Sequence, residues 1–110
     1  MAGFVKGDVV VVPFPFSNLA DSKRRPALVL SQLDGGDLIL CQITSQQTRD
    51  RYAISLLDAD FASGALKQPS NIRPNRVFTA DRSLILYRAG SLKPEKVRGV
   101  IDGLVAILEE

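Results

Sequence analysis

Four consecutive valines near the start of the chain restrict its fold more than any other feature. Residues 9–12 follow Gly7 and precede Pro13. Because β-branched side chains lose rotamer freedom in a helix but pack well on a pleated surface, the run predicts a strand. Since all four positions are apolar, this strand should be buried on both faces or lie in a contact between two chains. Residues 13–16 contain two prolines, which predict an edge position or an extended exit from the sheet.

Short apolar runs separated by turn residues predict further strands. Residues 34–37 contain two glycines and predict a hairpin turn, because glycine supplies the positive φ that such turns require. This turn would join the strands on either side of it into an antiparallel hairpin. The expected strands after the first are residues 26–31, 38–43, 52–56, 70–72, 76–79 and 83–87, the last being either a strand or the end of one.

Two segments predict helical structure. Residues 58–66 are compatible with one helical turn that ends near Gly64. Pro94 is a residue type favoured in the first turn of a helix, and apolar side chains recur after it at helical spacing. These side chains are Val97, Val100, Ile101, Leu104 and Leu108. We therefore expect one domain over residues 1–110 that is mainly β with α (α+β), a small β-barrel of five to seven short strands closed by a C-terminal helix.

Residue counts exclude several kinds of active site. The chain has 110 residues, with 14 basic and 12 acidic side chains, no histidine and one cysteine, Cys41. Without histidine, neither a Ser-His-Asp nor a Cys-His nucleophile system can exist, and a zinc site of the usual Cys/His kind is ruled out. We expect no metal and no cofactor. One cysteine allows no intramolecular disulfide, and no apolar stretch is long enough to span a bilayer, so we expect a soluble, cytoplasmic protein.

Three basic residues stand at the end of a polar segment that predicts a loop, residues 17–25. Lys23, Arg24 and Arg25 come directly before the second predicted strand. They form either a solvated basic tip or an anion clamp. Arg25 precedes Pro26, which restricts it to an extended conformation, and its planar guanidinium suits phosphate oxygens better than a lysine does.

Polar residues follow the third predicted strand. Thr44, Ser45 and Gln46 bring hydroxyl and amide groups that can donate to a phosphate or read a base edge. Alternatively, these groups satisfy the backbone of their own turn. Because the second and third strands form an antiparallel hairpin, Arg25 and Thr44 should lie at the same open end of it. The hairpin therefore predicts one candidate site from two separate segments.

A third feature is an excess of basic residues in the second half of the chain. Between residues 49 and 88 there are seven basic and four acidic side chains, which fits either a nucleic-acid groove or scattered surface arginines. Phe14, Phe16 and Tyr52 could stack on bases or pack in the core. The arginines of this set are Arg49, Arg51, Arg73, Arg76, Arg82 and Arg88.

Three segments carry a resemblance to a known family. They are the Gly-Asp-Val-Val-Val-Val-Pro-Phe-Pro run at 7–15, the Lys-Arg-Arg-Pro-Ala-Leu-Val-Leu-Ser run at 23–31, and Ile-Thr-Ser at 43–45. These segments resemble the PemK/MazF family of toxin endoribonucleases. The later Leu66, Ser70, Thr79 and Asp81, with the C-terminal helix, continue the likeness over nearly the whole chain.

The resemblance implies an SH3-like barrel and a homodimer that binds RNA along its dimer face. It also implies metal-independent cleavage of single-stranded RNA at a short sequence, and an antitoxin partner whose tail occupies the same groove. Arg25 and Thr44 match the family's catalytic positions. The expected substrate-binding residues are Ser17, Asn18, Lys23, Arg24, Ser45, Gln46, Arg73 and Arg76.

The chain departs from the family pattern in two places. Many members have a basic residue late in the barrel at the position that an ungapped comparison assigns to Phe78 here, and some use a histidine in the first loop. Arg73 or Arg76 would have to supply the charge from a neighbouring position. Two alternatives therefore stay open: a catalytically weak or inactive small-barrel module that binds RNA or a protein partner, and an interaction protein that acts through residues 9–12.

Overall fold

The structure is a computed structural model that describes residues 3–14, 23–47 and 49–110. Within these ranges the chain forms seven strands and one α-helix. The strands are β1 (Asp8–Phe14), β2 (Lys23–Gln32), β3 (Asp37–Thr44), β4 (Ile54–Leu56), β5 (Phe61–Gly64), β6 (Ser70–Asp81) and β7 (Tyr87–Leu92), and the helix is α1 (Pro94–Glu109).

All seven strands belong to one antiparallel sheet with the order β4-β6-β3-β2-β1-β7-β5. The sheet curls into a half-barrel, and α1 follows its last strand. This confirms the expected mainly β fold with a C-terminal helix. No helix in the described ranges is long and apolar enough to cross a membrane.

The valine run lies in β1, near the middle of the sheet, and is buried on both faces as predicted. Val9 packs in one apolar cluster together with Val97 and Val100 of α1. Val10 and Val12 belong to a second cluster formed with residues of β2, β3 and β6. β1 also continues into Pro13 and Phe14, where its only pairing is with β2, so the proline meets no partner on its β7 side.

The predicted hairpin is present and slightly longer than expected. β2 begins at Lys23 rather than at Pro26, because Lys23, Arg24 and Arg25 pair with the last three residues of β1. The basic residues therefore lie in a strand and not at the end of a loop. A 3₁₀ turn over Asp34–Gly36 joins β2 to β3, and both of its glycines have the positive φ that was expected.

The second half of the sheet corrects three sequence predictions. The helical turn expected over residues 58–66 is limited to a 3₁₀ turn at Asp58–Asp60, because the buried Phe61 opens β5, which pairs with β7. The two strands expected on either side of Pro74 are one strand, β6, whose register shifts at that proline. The strand expected at residues 83–87 is replaced by a 3₁₀ turn at Arg82–Leu84, and β7 starts at Tyr87.

The terminal helix follows its predicted pattern closely. Pro94 lies in its first turn, and Val97 and Val100 are buried against the first apolar cluster. Ile101 and Leu104 pack against the same cluster, whereas Leu108 is 74% exposed. The apolar stripe is therefore buried over its first three turns and emerges into solvent at its end.

Candidate functional site

A cleft of about 520 Å³ opens over β1, with β2 and β3 on one side and β7 and the segment after β5 on the other. Its polar walls are formed by Arg24, Arg25, Thr44, Ser45, Lys67 and Arg88, and we call it the cationic cleft. The volume is within the range of small-molecule and substrate sites. Four of these six side chains carry a positive charge, and none of the described residues that line the cleft is acidic. The charge of the described lining therefore favours an anionic ligand.

Arg25 and Thr44 are brought together by the register of the β2–β3 hairpin. The pairing of β2 with β3 reaches Ala27 and Gln42, and Arg25 and Thr44 each lie two residues beyond that pair and line the cleft. The Thr44 hydroxyl accepts the backbone N–H of Gln46 at 3.2 Å. That bond uses an acceptor site of the oxygen, so the hydroxyl can still donate its own proton to a ligand.

The charges of the cleft are largely uncompensated within the described part of the chain. Arg24, Arg25 and Lys67 form no ion pair there, in contrast to Arg73, whose guanidinium lies 3.1 Å from the Asp50 carboxylate. Like charges in one cleft repel each other, and a bound anion relieves that repulsion. The electrostatics and the shape of the cleft thus favour the same class of ligand.

Several predicted substrate-binding residues lie elsewhere. Lys23 is exposed at the first position of β2, and neither it nor Gln46 lines the cleft. Arg76 is exposed on β6, also outside the cleft. Ser17 and Asn18 fall outside the described residues. The structure thus groups Arg24, Arg25, Thr44 and Ser45 in the cleft and places Lys23, Gln46 and Arg76 outside it.

Arg73 has a structural partner. Its guanidinium donates to Asp50 at 3.2 and 3.1 Å, and both side chains are largely buried. The backbone N–H of Tyr52, with further hydrogen bonds from Arg73 and Asn75, lowers the pKa of Asp50. This arrangement holds Arg73 beside the segment that precedes β4 rather than in the cleft.

The aromatic candidates are also engaged outside the cleft. Phe78 packs against the second apolar cluster, and its ring centroid lies 5.7 Å from that of Phe14. The hydroxyl of Tyr52 donates to Glu110 at 2.5 Å, and this bond raises the pKa of Tyr52. Phe16 falls outside the described residues. Phe78, the position at which the family resemblance leads us to expect a basic residue, therefore does not line this cleft.

The sequence did not indicate that the segment after β5 and strand β7 would line the cleft. Lys67 follows β5, and Arg88 lies on β7, two strands whose positions were not predicted. Tyr87, half-exposed beside Arg88, also lines the cleft. Arg88 belonged to the recognised excess of arginines, but only the pairing of β7 with β1 places it beside the hairpin.

Comparisons with known proteins support the family resemblance. The model of the family of PemK-like, MazF-like toxins of type II toxin–antitoxin systems matches residues 5–108. No curated protein matches the sequence.

Solved structures share the fold at low sequence identity. The crystal structure of MazF (Form-I) from Deinococcus radiodurans is 21% identical, with a TM-score of 0.77 and complete coverage of both chains. An endoribonuclease in complex with its cognate antitoxin, from a mycobacterial species, is 12% identical, with a TM-score of 0.76 over 97% of this chain and 96% of that one. A MazE–MazF structure (Form-III) from D. radiodurans is 21% identical, with a TM-score of 0.75 over 98% of each chain.

The family match covers all seven described strands and all but the last residue of α1, and the structural matches cover nearly the whole chain. Together they confirm the resemblance that the motifs at 7–15, 23–31 and 43–45 indicated. The chain belongs to the family of PemK-like, MazF-like toxins of type II toxin–antitoxin systems.

Proposed function

We propose that this chain is an endoribonuclease toxin that cleaves single-stranded RNA at a short sequence and needs no metal. The observation that carries the proposal is the meeting of Arg25 and Thr44 in one cleft with four cationic side chains. Family membership supports the same activity, and the solved relatives include proteins described as endoribonucleases.

The chemistry suits these side chains because RNA carries its own nucleophile. The 2′-oxygen attacks the adjacent phosphorus and loses its proton to solvent, and the bond from phosphorus to the 5′-oxygen breaks. The products are a 2′,3′-cyclic phosphate and a 5′-hydroxyl, whose proton comes from Arg25 or from water. The protein has to stabilise the charge that grows on the phosphate oxygens, and a guanidinium with a hydroxyl donor can do so.

The donor set favours direct binding of phosphate over binding through a metal ion. Mg²⁺ in proteins is held by carboxylates, and the described side chains that line the cleft offer cations, hydroxyls and an amide. The sequence has no histidine to bind a transition metal or to act as a general base. We therefore assign charge stabilisation to Arg25 and hydrogen bonding to a non-bridging oxygen to Thr44.

The natural inhibitor would be a cognate antitoxin. Two of the solved relatives described above are structures with an antitoxin or with MazE. An antitoxin segment that covers the cationic cleft would need acidic side chains to match its charge. We also propose that the active form is a homodimer, with RNA bound along the face that joins the two chains.

Cleavage in the presence of EDTA tests the proposal. Purified wild type should cut a long single-stranded RNA at a repeated short motif, and Arg25→Ala and Thr44→Ala should each cut about 10²–10³-fold more slowly. Arg98→Ala removes an exposed arginine of α1 that does not line the cleft, and it should cut like wild type.

Three other results would change the assignment. Unimpaired cleavage by Arg25→Ala and Thr44→Ala would contradict the site. Cleavage that stops in EDTA and returns with magnesium would contradict the mechanism. Wild-type protein that binds RNA but leaves it intact would favour the alternative of an inactive RNA-binding module.

A further inference from the structure

Arg88 is the member of the arginine-rich set between residues 49 and 88 that lines the cationic cleft. Its position depends on an irregularity in the pairing of β1 with β7. Val10 lies opposite Arg88, whereas Val9 lies opposite Gly90, so β7 has one extra residue at this point. Such bulges re-aim the neighbouring side chains, and they are common beside functional sites.

A buried carboxylate lies next to Arg88. Asp8 is only 2% exposed, and its two oxygens accept hydrogen bonds from the backbone N–H of Val5 at 3.0 Å and the hydroxyl of Ser91 at 2.8 Å. These bonds fix the carboxylate in place. The nearest guanidinium nitrogen of Arg88 is 3.8 Å away, which is an ion pair but too long for a hydrogen bond.

This geometry leaves the donors of Arg88 available to a ligand. The side chain is 54% exposed, and the charge of Asp8 attracts the guanidinium without occupying its N–H groups. A long side chain that is already attracted to one position loses less conformational entropy when it binds. Because the planar guanidinium matches phosphate oxygens, the structure supplies a partly positioned phosphate-binding group.

Arg88 and Arg25 lie on different strands of the sheet. β1 lies between β2 and β7, so the two backbones are separated by two strand spacings, about 10 Å. Arg25 is also paired with Val12 and Arg88 with Val10, which offsets them along β1. An extended RNA strand with one phosphate at Arg25 would place another phosphate toward Arg88.

We propose that Arg88 binds an RNA backbone phosphate next to the scissile one, and that Asp8 is the positioning residue that holds Arg88 for this contact. The inference rests on the proposed function, since it names a second phosphate contact of the same substrate. It extends the site from the β2–β3 hairpin across the sheet to β7.

The salt dependence of binding tests the contact without relying on cleavage. The probe is a fluorescein-labelled, random-sequence RNA with 2′-O-methyl groups, which cannot be cut by 2′-OH attack. Arg88→Gln should weaken binding roughly tenfold and reduce the slope of log K against log salt by about 0.7, the value for one phosphate contact on a single strand. Arg98→Gln removes the same charge from α1 and should leave the slope unchanged.

Two more variants test the guanidinium of Arg88 and the role of Asp8. Arg88→Lys keeps the charge and should keep the slope, but bind more weakly because the planar fork is lost. Asp8→Asn should weaken binding several-fold in the wild-type background and have no further effect in Arg88→Gln, since two residues that act through one contact are not additive. Circular dichroism checks that each variant is folded.

The outcomes separate this inference from the proposed function. An unchanged slope in Arg88→Gln would overturn the phosphate contact even if wild type cleaves RNA. Additive losses for Asp8→Asn and Arg88→Gln would overturn the positioning role. Wild-type protein that binds the probe with the expected loss in Arg88→Gln, yet never cleaves unmodified RNA, would support the contact and contradict the nuclease.

Discussion

The arginines of this chain differ in what holds their guanidinium. Arg73 and Arg98 donate hydrogen bonds to a carboxylate on a nearby segment. Arg24 and Arg25 form no ion pair with any described residue and line the cleft. Residue type alone does not distinguish the groups, because the partner of Arg73 is 23 positions away in sequence. Arg73 is thus committed to Asp50, whereas Arg24, Arg25 and Arg88, whose nearest nitrogen is 3.8 Å from Asp8, keep their N–H donors available to a substrate.

The Asp50–Arg73 pair predicts a pH-dependent contribution to stability. The pKa of Asp50 is lowered in the folded state, chiefly by the backbone N–H of Tyr52, so folding favours its charged form. The contribution is therefore complete above the unfolded pKa and is lost as pH falls through the lower, folded one. Asp50→Asn should reduce the free energy of unfolding by about 1 kcal/mol at neutral pH, and by progressively less toward about pH 2.

Urea denaturation at several pH values measures this effect. Asp102→Asn is the matched control, because Asp102 pairs with Arg98 on the solvent-exposed side of α1 and should contribute little. A difference between wild type and Asp50→Asn that is the same at neutral and acidic pH would show that the charge of Asp50 does not contribute.

The elements differ in how much of their structure is encoded locally. β1, the β2–β3 hairpin and α1 were predictable, because a β-branched run, a glycine turn and a helical apolar period each lie within one short segment. β5 and β7 were not, since residues 61–64 and 87–92 contain small and polar residues with little periodicity. Their pairing depends on contacts between segments that are distant in sequence.

The residues of the candidate site show the same difference between local and long-range determinants. Arg25 and Thr44 could be assigned together because the hairpin register is a local property of residues 25–44. Lys67 and Arg88 could not, because their positions depend on the pairing of β5 with β7 and of β7 with β1. The sequence did not indicate that Asp50 would pair with Arg73. The two residues are 23 positions apart, and the path of the chain before β4 brings them together.

The close contact between β5 and β7 predicts that one methyl group added at Gly90 strongly destabilises the protein. A Cβ on Gly90 would lie 2.4 Å from the Ser63 carbonyl oxygen and 3.0 Å from the Gly64 Cα, both of them backbone atoms. Gly90→Ala should therefore lower the free energy of unfolding by about 1–3 kcal/mol or more. Because Arg88 lies on β7 and Lys67 follows β5, RNA cleavage should fall as well.

Gly99→Ala is the control for this substitution. Gly99 is exposed within α1, nothing lies within 4 Å of its added Cβ, and alanine there should raise the stability by about 0.5–1 kcal/mol. Thermal and urea unfolding measure the change in the free energy of unfolding for both variants. Equal stability of Gly90→Ala and wild type would contradict the close β5–β7 packing.

At the scale of the whole molecule, two apolar clusters on opposite faces of the sheet stabilise the fold. Residues of all seven strands and of α1 contribute to the first, and residues of β1, β2, β3 and β6 contribute to the second. β1 contributes to both, which is the reason that its valine run was so informative. A chain of this size still buries a smaller share of its surface than a larger domain does. Eight large apolar side chains stay at least 40% exposed in the described structure: Val5, Leu33, Leu57, Val77, Leu86, Tyr87, Val105 and Leu108.

This exposed apolar surface, with the family membership, predicts that the protein is a homodimer in solution. Burying part of it against a second copy would add the hydrophobic stabilisation that a single small core lacks. Sedimentation velocity at micromolar concentration should give twice the mass of one chain. Small-angle scattering should give a radius of gyration clearly above the 13.2 Å of the single chain. Dilution should shift both values together, and a sharp species with the mass and radius of one chain across the micromolar range would contradict the dimer.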